Sequence, residues 1–117
     1  MTPPSVEENR DFVTGAAGSA MAQLEDVAQR IRLDLNNGTD VRPLLSQATS
    51  VVGSLRGVNP SASDAAQWQS RLSLLDSTLA MATEHAMQGN GDALRAVTDE
   101  FSMHVASTSM WVQSLRG

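Results

Sequence analysis

The sequence contains no cysteine, no lysine and no tyrosine. Without cysteine, a disulfide framework, a thiolate zinc site and a cysteine nucleophile are all excluded. Only two phenylalanines and two tryptophans are present, so alanine, leucine, valine and methionine must fill the interior, which is typical of close helix–helix packing. The 117 residues are enough for one domain with a core of its own.

Positive charge is also scarce. The eight basic residues are all arginines and stand against 13 acidic residues, which gives a net charge of −5. They are scattered, and the closest pair is Arg30 and Arg32. Nucleic-acid binding needs a basic stripe, and an anionic membrane surface attracts basic clusters. We therefore expect no nucleic-acid partner and no binding to a membrane surface.

Long apolar runs are absent as well. No run approaches the roughly 20 residues that a membrane-spanning helix needs, so we expect a soluble protein without membrane insertion. Met1–Val6 lacks the charged and apolar regions of a cleavable secretory signal. Signals of other kinds leave no such mark, and the sequence leaves the cellular compartment open.

What the sequence does contain is helical periodicity, and it is clearest from Ser61 to Gln88. The apolar residues there recur at steps of three and four, which aligns them along one side of a helix, whereas a strand would need steps of two. The aligned residues are Ala65, Trp68, Leu72, Leu75, Leu79, Ala82 and Ala86. This spacing predicts a long amphipathic helix against which the rest of the chain packs.

Three further segments show helical patterns, and stop signals rich in glycine, asparagine or proline separate them. The predicted helices cover residues 6–36, 41–56, 63–88 and 93–115. Connections this short favour antiparallel neighbours. The predicted fold is therefore all-α, a single domain over residues 1–117 that forms an antiparallel four-helix bundle with up-down-up-down topology.

Capping residues support these boundaries. Ser5 and Glu8 match a capping box, and Gly38 is placed to supply a left-handed residue after the first helix. The predicted N-caps of the next three helices are, in turn, Thr39 or Asp40, Ser61 or Ser63, and Asp92. Each predicted helix thus has a start signal next to its apolar stripe.

The first helix contains a weak point at Gly15 and Gly18. Each glycine in a helix costs about 1 kcal/mol relative to alanine. The helix either breaks there, or the small residues let another helix approach closely. We expect a long first helix that is continuous or mildly kinked near these glycines.

If the last two predicted helices fold back on each other at Asn90, their geometry leads to a further prediction. Residues equidistant from the turn lie level in two helices that run back along each other, and Trp68 and Trp111 are almost equidistant from Asn90. We therefore predict that both tryptophans lie at the same end of the last two helices.

The chain offers little catalytic or ligand chemistry. His85 and His104 are the only histidines, and the Glu-x-x-His pairs of di-iron bundles are absent. The hairpin geometry does not place the two histidines level, as a bis-histidine haem would need. No glycine-flanked nucleophile or phosphate-binding glycine loop is found. We expect no enzyme activity, no catalytic residue, no metal and no cofactor, with both histidines partly solvated at the edge of the core.

The segment His85–Gly89 resembles the motif of two-component phosphotransfer domains, which are also four-helix bundles. The resemblance implies phosphotransfer on His85. Gln88 stands where that motif has lysine, and Gly89 begins a helix stop where those domains stay helical.

The last two predicted helices each carry a second apolar stripe. The stripe residues are Leu74 and Met81 on one helix, extended by His85, and Met103, Ala106 and Met110 on the other. Surface methionines occur at adaptable partner-binding surfaces. The alternative is that the stripes only widen the side facing the core. If they are exposed, we expect Leu74, Met81, Met103, Ala106 and Met110 to bind a partner, with the small residues 107–109 beside them allowing close helix approach.

The segment from Val51 to Leu79 resembles the helical hairpin of type III secretion needle and inner-rod subunits. It has an Asn59-Pro60 turn and then the run Trp68-Gln-Ser-Arg-Leu-Ser. The resemblance implies a self-assembling structural subunit. It covers about a quarter of the chain, which differs by its long N-terminal helix and its break at Gly89.

The sequence favours a non-enzymatic protein–protein interaction module: a small acidic bundle acting as a chaperone, adaptor, inhibitor or structural subunit. Its expected partner is another protein or a second copy of itself. Two alternatives stay open. One is a self-assembling secretion or phage virion component, and the other is a ligand-binding or phosphotransfer bundle that uses a histidine.

Overall fold

The computed structural model describes residues 11–115, apart from the side chain of Ala16. This part of the chain is helical and contains no strand, which confirms the predicted all-α class. Residues 11–14 are helical and precede four further helices. These are α1 (Ala16–Asn36), α2 (Arg42–Leu55), α3 (Ala62–Gln88) and α4 (Gly91–Ser114). Over the same residues, every helix is too short or too polar to cross a membrane.

The first helix is interrupted at Gly15. Its backbone angles, φ −96° and ψ −127°, are not helical, although its N–H still donates to the carbonyl of Asp11 at 3.0 Å. The prediction of a continuous or mildly kinked helix is therefore wrong at this residue, because glycine is where a helix most readily departs from regular geometry. The predicted capping box at Ser5 and Glu8 lies outside the described residues.

One continuous hydrophobic core runs between the helices. Helix α1 packs on α2 and α4, and α3 also packs on α2 and α4. The largest fully buried side chains are Trp68, Phe101, Leu24, Ile31, Leu45, Leu55, Leu72, Leu75 and Leu79, with three valines. Trp68, Leu72, Leu75 and Leu79 belong to the stripe that the three–four spacing aligned on the third predicted helix, so the periodicity predicted the side of that helix that faces the core.

The buried Trp68 meets the half-buried Trp111 at the edge of the core. Their rings stack with centroids 6.1 Å apart and an interplanar angle of 11°. Trp68 is fully buried and donates its indole N–H to the carbonyl of Val58 at 2.7 Å, while the ring of Phe12 meets it edge-on at 5.0 Å. The prediction that both tryptophans lie at the same end of α3 and α4 is confirmed.

Helices α1 and α3 both end on a left-handed glycine. Gly38 has φ +73° and Gly89 has φ +70°, a conformation that glycine adopts without steric penalty. After α1, the N–H of Thr39 reaches back to the carbonyl of Asp34 at 2.8 Å, and after α3 the N–H of Asn90 reaches back to that of His85 at 3.0 Å. These bonds satisfy carbonyls that the helix leaves open, and they confirm the predicted role of Gly38.

The start of α4 corrects one predicted cap. Asn90, and not Asp92, occupies the N-cap, and its side-chain oxygen accepts from the N–H of Ala93 at 3.2 Å. Asp92 lies in the first turn, where a negative charge is favourable beside the N–H groups of the helix end. At α3, Ser61, one of the two predicted residues, is the N-cap residue, and its hydroxyl donates to the carboxylate of Asp64 at 3.0 Å.

At α2 the N-cap position belongs to Val41 and not to the predicted Thr39 or Asp40. Asp40 nevertheless accepts the N–H of Arg42 at 3.0 Å, and its two carboxylate oxygens also accept from Nε of Arg42 at 3.0 Å and from Nη2 at 2.9 Å. The guanidinium of Arg42, through these hydrogen bonds, lowers the pKa of Asp40 from its ordinary value.

This pair gives a first testable result. In an NMR titration, the pKa of Asp40 should lie below 3.8 and rise towards it in Arg42→Gln, which removes the charged donor. Because the folded-state pKa is the lower one, any stability from this pair is present above the unfolded-state pKa and lost as pH falls through the folded-state value. An unchanged Asp40 titration in the variant would show that the bidentate contact does not persist in solution.

Candidate partner-binding surface

Four of the largest exposed apolar side chains lie on α3 and α4. Leu74 is 49% exposed, Met81 45%, Met103 70% and Met110 73%. Ala106, between the last two, is exposed as well. These five residues, which the sequence predicted as partner-binding, form the α3–α4 face.

Helix geometry accounts for their outward position. Consecutive residues turn by about 100° around a helix, and Leu74 lies between Leu72 and Leu75, which are fully buried. Met103 likewise lies between the buried Phe101 and Val105. The burial of these neighbours fills the side that faces the core, so the exposed stripe does not merely widen it. Of the two interpretations that the sequence left open, exposure favours a surface available to a partner.

A polar contact ties the two helices together beside this face. Nη1 of Arg71 donates to the hydroxyl of Ser107 at 3.2 Å, and the guanidinium carbon lies 5.3 Å from the centroid of the Trp111 ring. A cation over an indole face is attracted by the ring quadrupole. The small residues at 107–109 divide between environments, since Ser107 is exposed and Thr108 is buried. The face therefore rests on two helices that are held in register.

The face continues into a groove between α1 and α4. This groove has a volume of about 550 Å³ and is open to solvent on one side. Ala106 and Met110 line it from α4, together with Ala28, Gln29 and Arg32 from α1. The small side chains of Ala28 and Ala106 leave open space between the longer side chains of the groove, and an exposed methionine such as Met110 can adapt its shape to a contacting group.

Within residues 11–115, every arginine side chain forms a salt bridge or a hydrogen bond with another residue of this chain. Four contact carboxylates, Arg71 contacts Ser107, and Arg95 donates to the side chain of Asn36 at 3.0 Å. The arginine–carboxylate pairs are Arg30–Asp26, Arg32–Asp99, Arg42–Asp40 and Arg56–Asp76. The cations of this part of the chain are therefore used in internal contacts.

Carboxylates without an arginine contact remain next to the exposed stripe. Glu84 follows Met81 by three residues and Glu100 precedes Met103 by three, so each carboxylate adjoins a methionine on its helix. Glu84 accepts from the amide of Gln88 at 3.4 Å, and Glu100 lies 3.8 Å from Nε2 of His104. The polar rim of the α3–α4 face thus carries two carboxylates without an arginine partner, together with Arg71, which contacts Ser107 and Trp111.

The two histidines have different neighbours and form no hydrogen bond or ion pair with each other. His104 adjoins Glu100, whereas His85 is half-buried near the end of α3 with its Nδ1 shielded from solvent and without a hydrogen-bond partner. Among the described residues, no three His, Asp or Glu side chains are grouped so that they could hold a metal ion. The geometry gives neither histidine a set of neighbouring ligands.

Two further exposed apolar residues lie outside the stripes that the spacing predicted. Met87 is 75% exposed and Leu33 is 53% exposed. Met87 follows Met81 by six residues, an offset that does not return to the same side of a helix, so it lies off the face. Neither residue falls on the three–four spacing of the apolar stripe of its helix. This position off the stripe is the signal that could have marked both as exposed.

A scan against protein-family models and searches of curated proteins and solved structures found no match.

Proposed function

We propose that this chain is a non-enzymatic protein–protein interaction module that binds another protein through the α3–α4 face. In this role it acts as a chaperone, adaptor, inhibitor or structural subunit without performing chemistry. The observation that carries the proposal is the exposure of Leu74, Met81, Met103 and Met110 on two adjacent helices. Fully burying a wholly exposed side chain of this kind contributes about 1.5–3 kcal/mol. The four side chains are 45–73% exposed, so a partner that covers them gains roughly half of that free energy at each position.

The proposed scaffold is a single domain, an antiparallel four-helix bundle with up-down-up-down topology. Contacts between the ends of the helices support it. Arg95 at the start of α4 bonds Asn36 at the end of α1, which fits helices that run in opposite directions. Trp68 near the start of α3 stacks on Trp111 near the end of α4. In such a bundle, two neighbouring helices present one continuous outer surface to a partner.

Site-specific photo-crosslinking tests the proposal. A photoreactive amino acid is placed at position 81 or at position 103, in the cells that produce the protein. We expect both positions to yield a crosslink to the same protein, because one partner covers both helices. Position 47 is the matched control, since Gln47 is exposed on α2 and lies outside the face.

The second arm of the test removes the apolar contacts. Leu74→Gln combined with Met110→Gln keeps the reactive group at position 103 but makes the face polar. The crosslink from position 103 should then fall by about tenfold or more, while the melting temperature stays near that of the parent because both side chains are exposed. Equal crosslinking from position 47, or no discrete product from positions 81 and 103, would contradict the proposal.

A further inference from the structure

We infer that the segment bound by the α3–α4 face is an amphipathic helix whose apolar stripe is flanked by arginine or lysine. This inference rests on the proposed function and specifies the chemistry of the partner. It combines two observations about the face, the spacing of its apolar side chains and the sign of the charge along its rim.

The spacing favours a helical partner. Leu74 and Met81 are seven residues apart, and so are Met103 and Met110. Seven residues rise by about 10.5 Å along a helix, or two turns. A helix that presents apolar anchors at i, i+3, i+4 and i+7 offers the same repeat, and such helices bind along grooves between two helices. The small side chain of Ala106 and the adjoining groove leave room for the anchors.

The charge favours a basic partner. Glu84 and Glu100 border the apolar stripe and contact no arginine among the described residues. The two arginines beside the face and its groove have partners within the chain, since Arg71 contacts Ser107 and Trp111 and Arg32 lies 3.9 Å from Asp99. The arginines of this part of the chain are occupied by internal contacts. The positive charges that would face Glu84 and Glu100 therefore have to come from the partner. Complementary rim charges of this kind accelerate association and exclude partners of the wrong sign.

The same charges disfavour a second copy as the occupant. Two copies that meet face to face would bring the carboxylates of their rims together, and each chain carries a net charge of −5. Like charges placed opposite one another across an interface oppose binding. The observations thus favour a different, basic protein over self-association through this face.

NMR of the protein labelled with ¹³C at the methionine methyl groups tests the inference. The probes are two helical peptides of about 18 residues, long enough to hold a helix when bound, with one shared leucine stripe and with either arginine or glutamate on its flanks. We expect the arginine peptide to shift the methyl signals of Met81, Met103 and Met110. Met21, which is only 2% exposed, is the internal control and should not shift.

The charge and the stripe are tested separately. The glutamate peptide should bind at least about tenfold more weakly than the arginine peptide, and added salt should narrow that difference. Glu84→Gln with Glu100→Gln should weaken the arginine peptide severalfold, and both residues are exposed, so folding is preserved. Equal affinity of the two peptides for this face would overturn the inferred charge while leaving the proposed function in place.

Further outcomes separate a failure of this inference from a failure of the proposed function. The partner segment crosslinked to position 103, once sequenced, should be basic and amphipathic, and an acidic or extended segment would overturn the inference alone. Methyl shifts that appear on raising the protein concentration without peptide would assign the face to a second copy and also overturn it. The absence of any crosslink from positions 81 and 103 would instead remove the proposed function.

Discussion

Replacing Leu72 by alanine should lower the free energy of unfolding by about 2–5 kcal/mol. Leu72 is fully buried on α3 between Trp68 and Leu75, which are also fully buried. The substitution removes apolar contacts and leaves a cavity that the tightly packed neighbours fill only in part. Stabilities of domains of this size are about 5–15 kcal/mol, so the loss is a large fraction of the total. Urea denaturation of the variant and the parent measures it.

Leu74 supplies the matched control for this substitution. It is the same residue type on the same helix, two positions away, and it is 49% exposed. Leu74→Ala should change the free energy of unfolding by about 0.5 kcal/mol, because surface substitutions rarely have larger effects. Losses of equal size at Leu72 and Leu74 would mean that α3 is rotated relative to the arrangement described above, and the exposed face would then belong to the core.

The helical stripes could be predicted because each depends only on the sequence of its own helix. Apolar residues spaced by three and four lie on one side, and that side is buried. Every residue predicted on the apolar side of α3 is buried or half-buried, from Ala65 to Ala86. The hairpin geometry followed from the same regularity, since equal rise per residue in two adjacent helices brings Trp68 level with Trp111. These features follow from the regular geometry of the helix alone.

The local departures from regularity could not be predicted from spacing. The penalty for a glycine in a helix is about 1 kcal/mol, which is too small to decide whether α1 continues through Gly15 or breaks there. At the start of α4 the predicted cap was Asp92, whereas Asn90, two positions earlier and an equally good N-cap residue, occupies the position. In each case tertiary packing decides between local conformations of nearly equal free energy.

For the candidate surface, the sequence predicted which residues belong together but not whether they are exposed. A stripe that contains Met103 and Met110 fits either a wide core side or a docking surface, and only their burial distinguishes the two. The charge of the rim was harder to foresee. The net charge is visible in the sequence, whereas the commitment of Arg71 to Ser107 and Trp111 is a tertiary contact between helices.

Replacing Gly18 by alanine is the second substitution with a large expected effect. Gly18 lies in the first turns of α1, and a Cβ atom there would collide with the carbonyl oxygen of Val13. Because the obstacle is backbone, it cannot move aside as a flexible side chain does, and the segment over residues 11–14 must shift. Phe12 and Val13 in that segment are buried, so the shift disturbs the edge-on contact of Phe12 with Trp68.

The expected loss in Gly18→Ala is about 1–3 kcal/mol, the range for overpacked sites, even though alanine is the better helix former. Gly53 provides the opposite case. It is an exposed glycine within α2, and nothing lies within 4 Å of a Cβ atom built there. Gly53→Ala should therefore stabilise the protein by about 0.5–1 kcal/mol through the ordinary advantage of alanine in a helix. Thermal denaturation followed by tryptophan fluorescence compares the two, and stabilisation by both would show that the Val13 carbonyl does not approach Gly18 in solution.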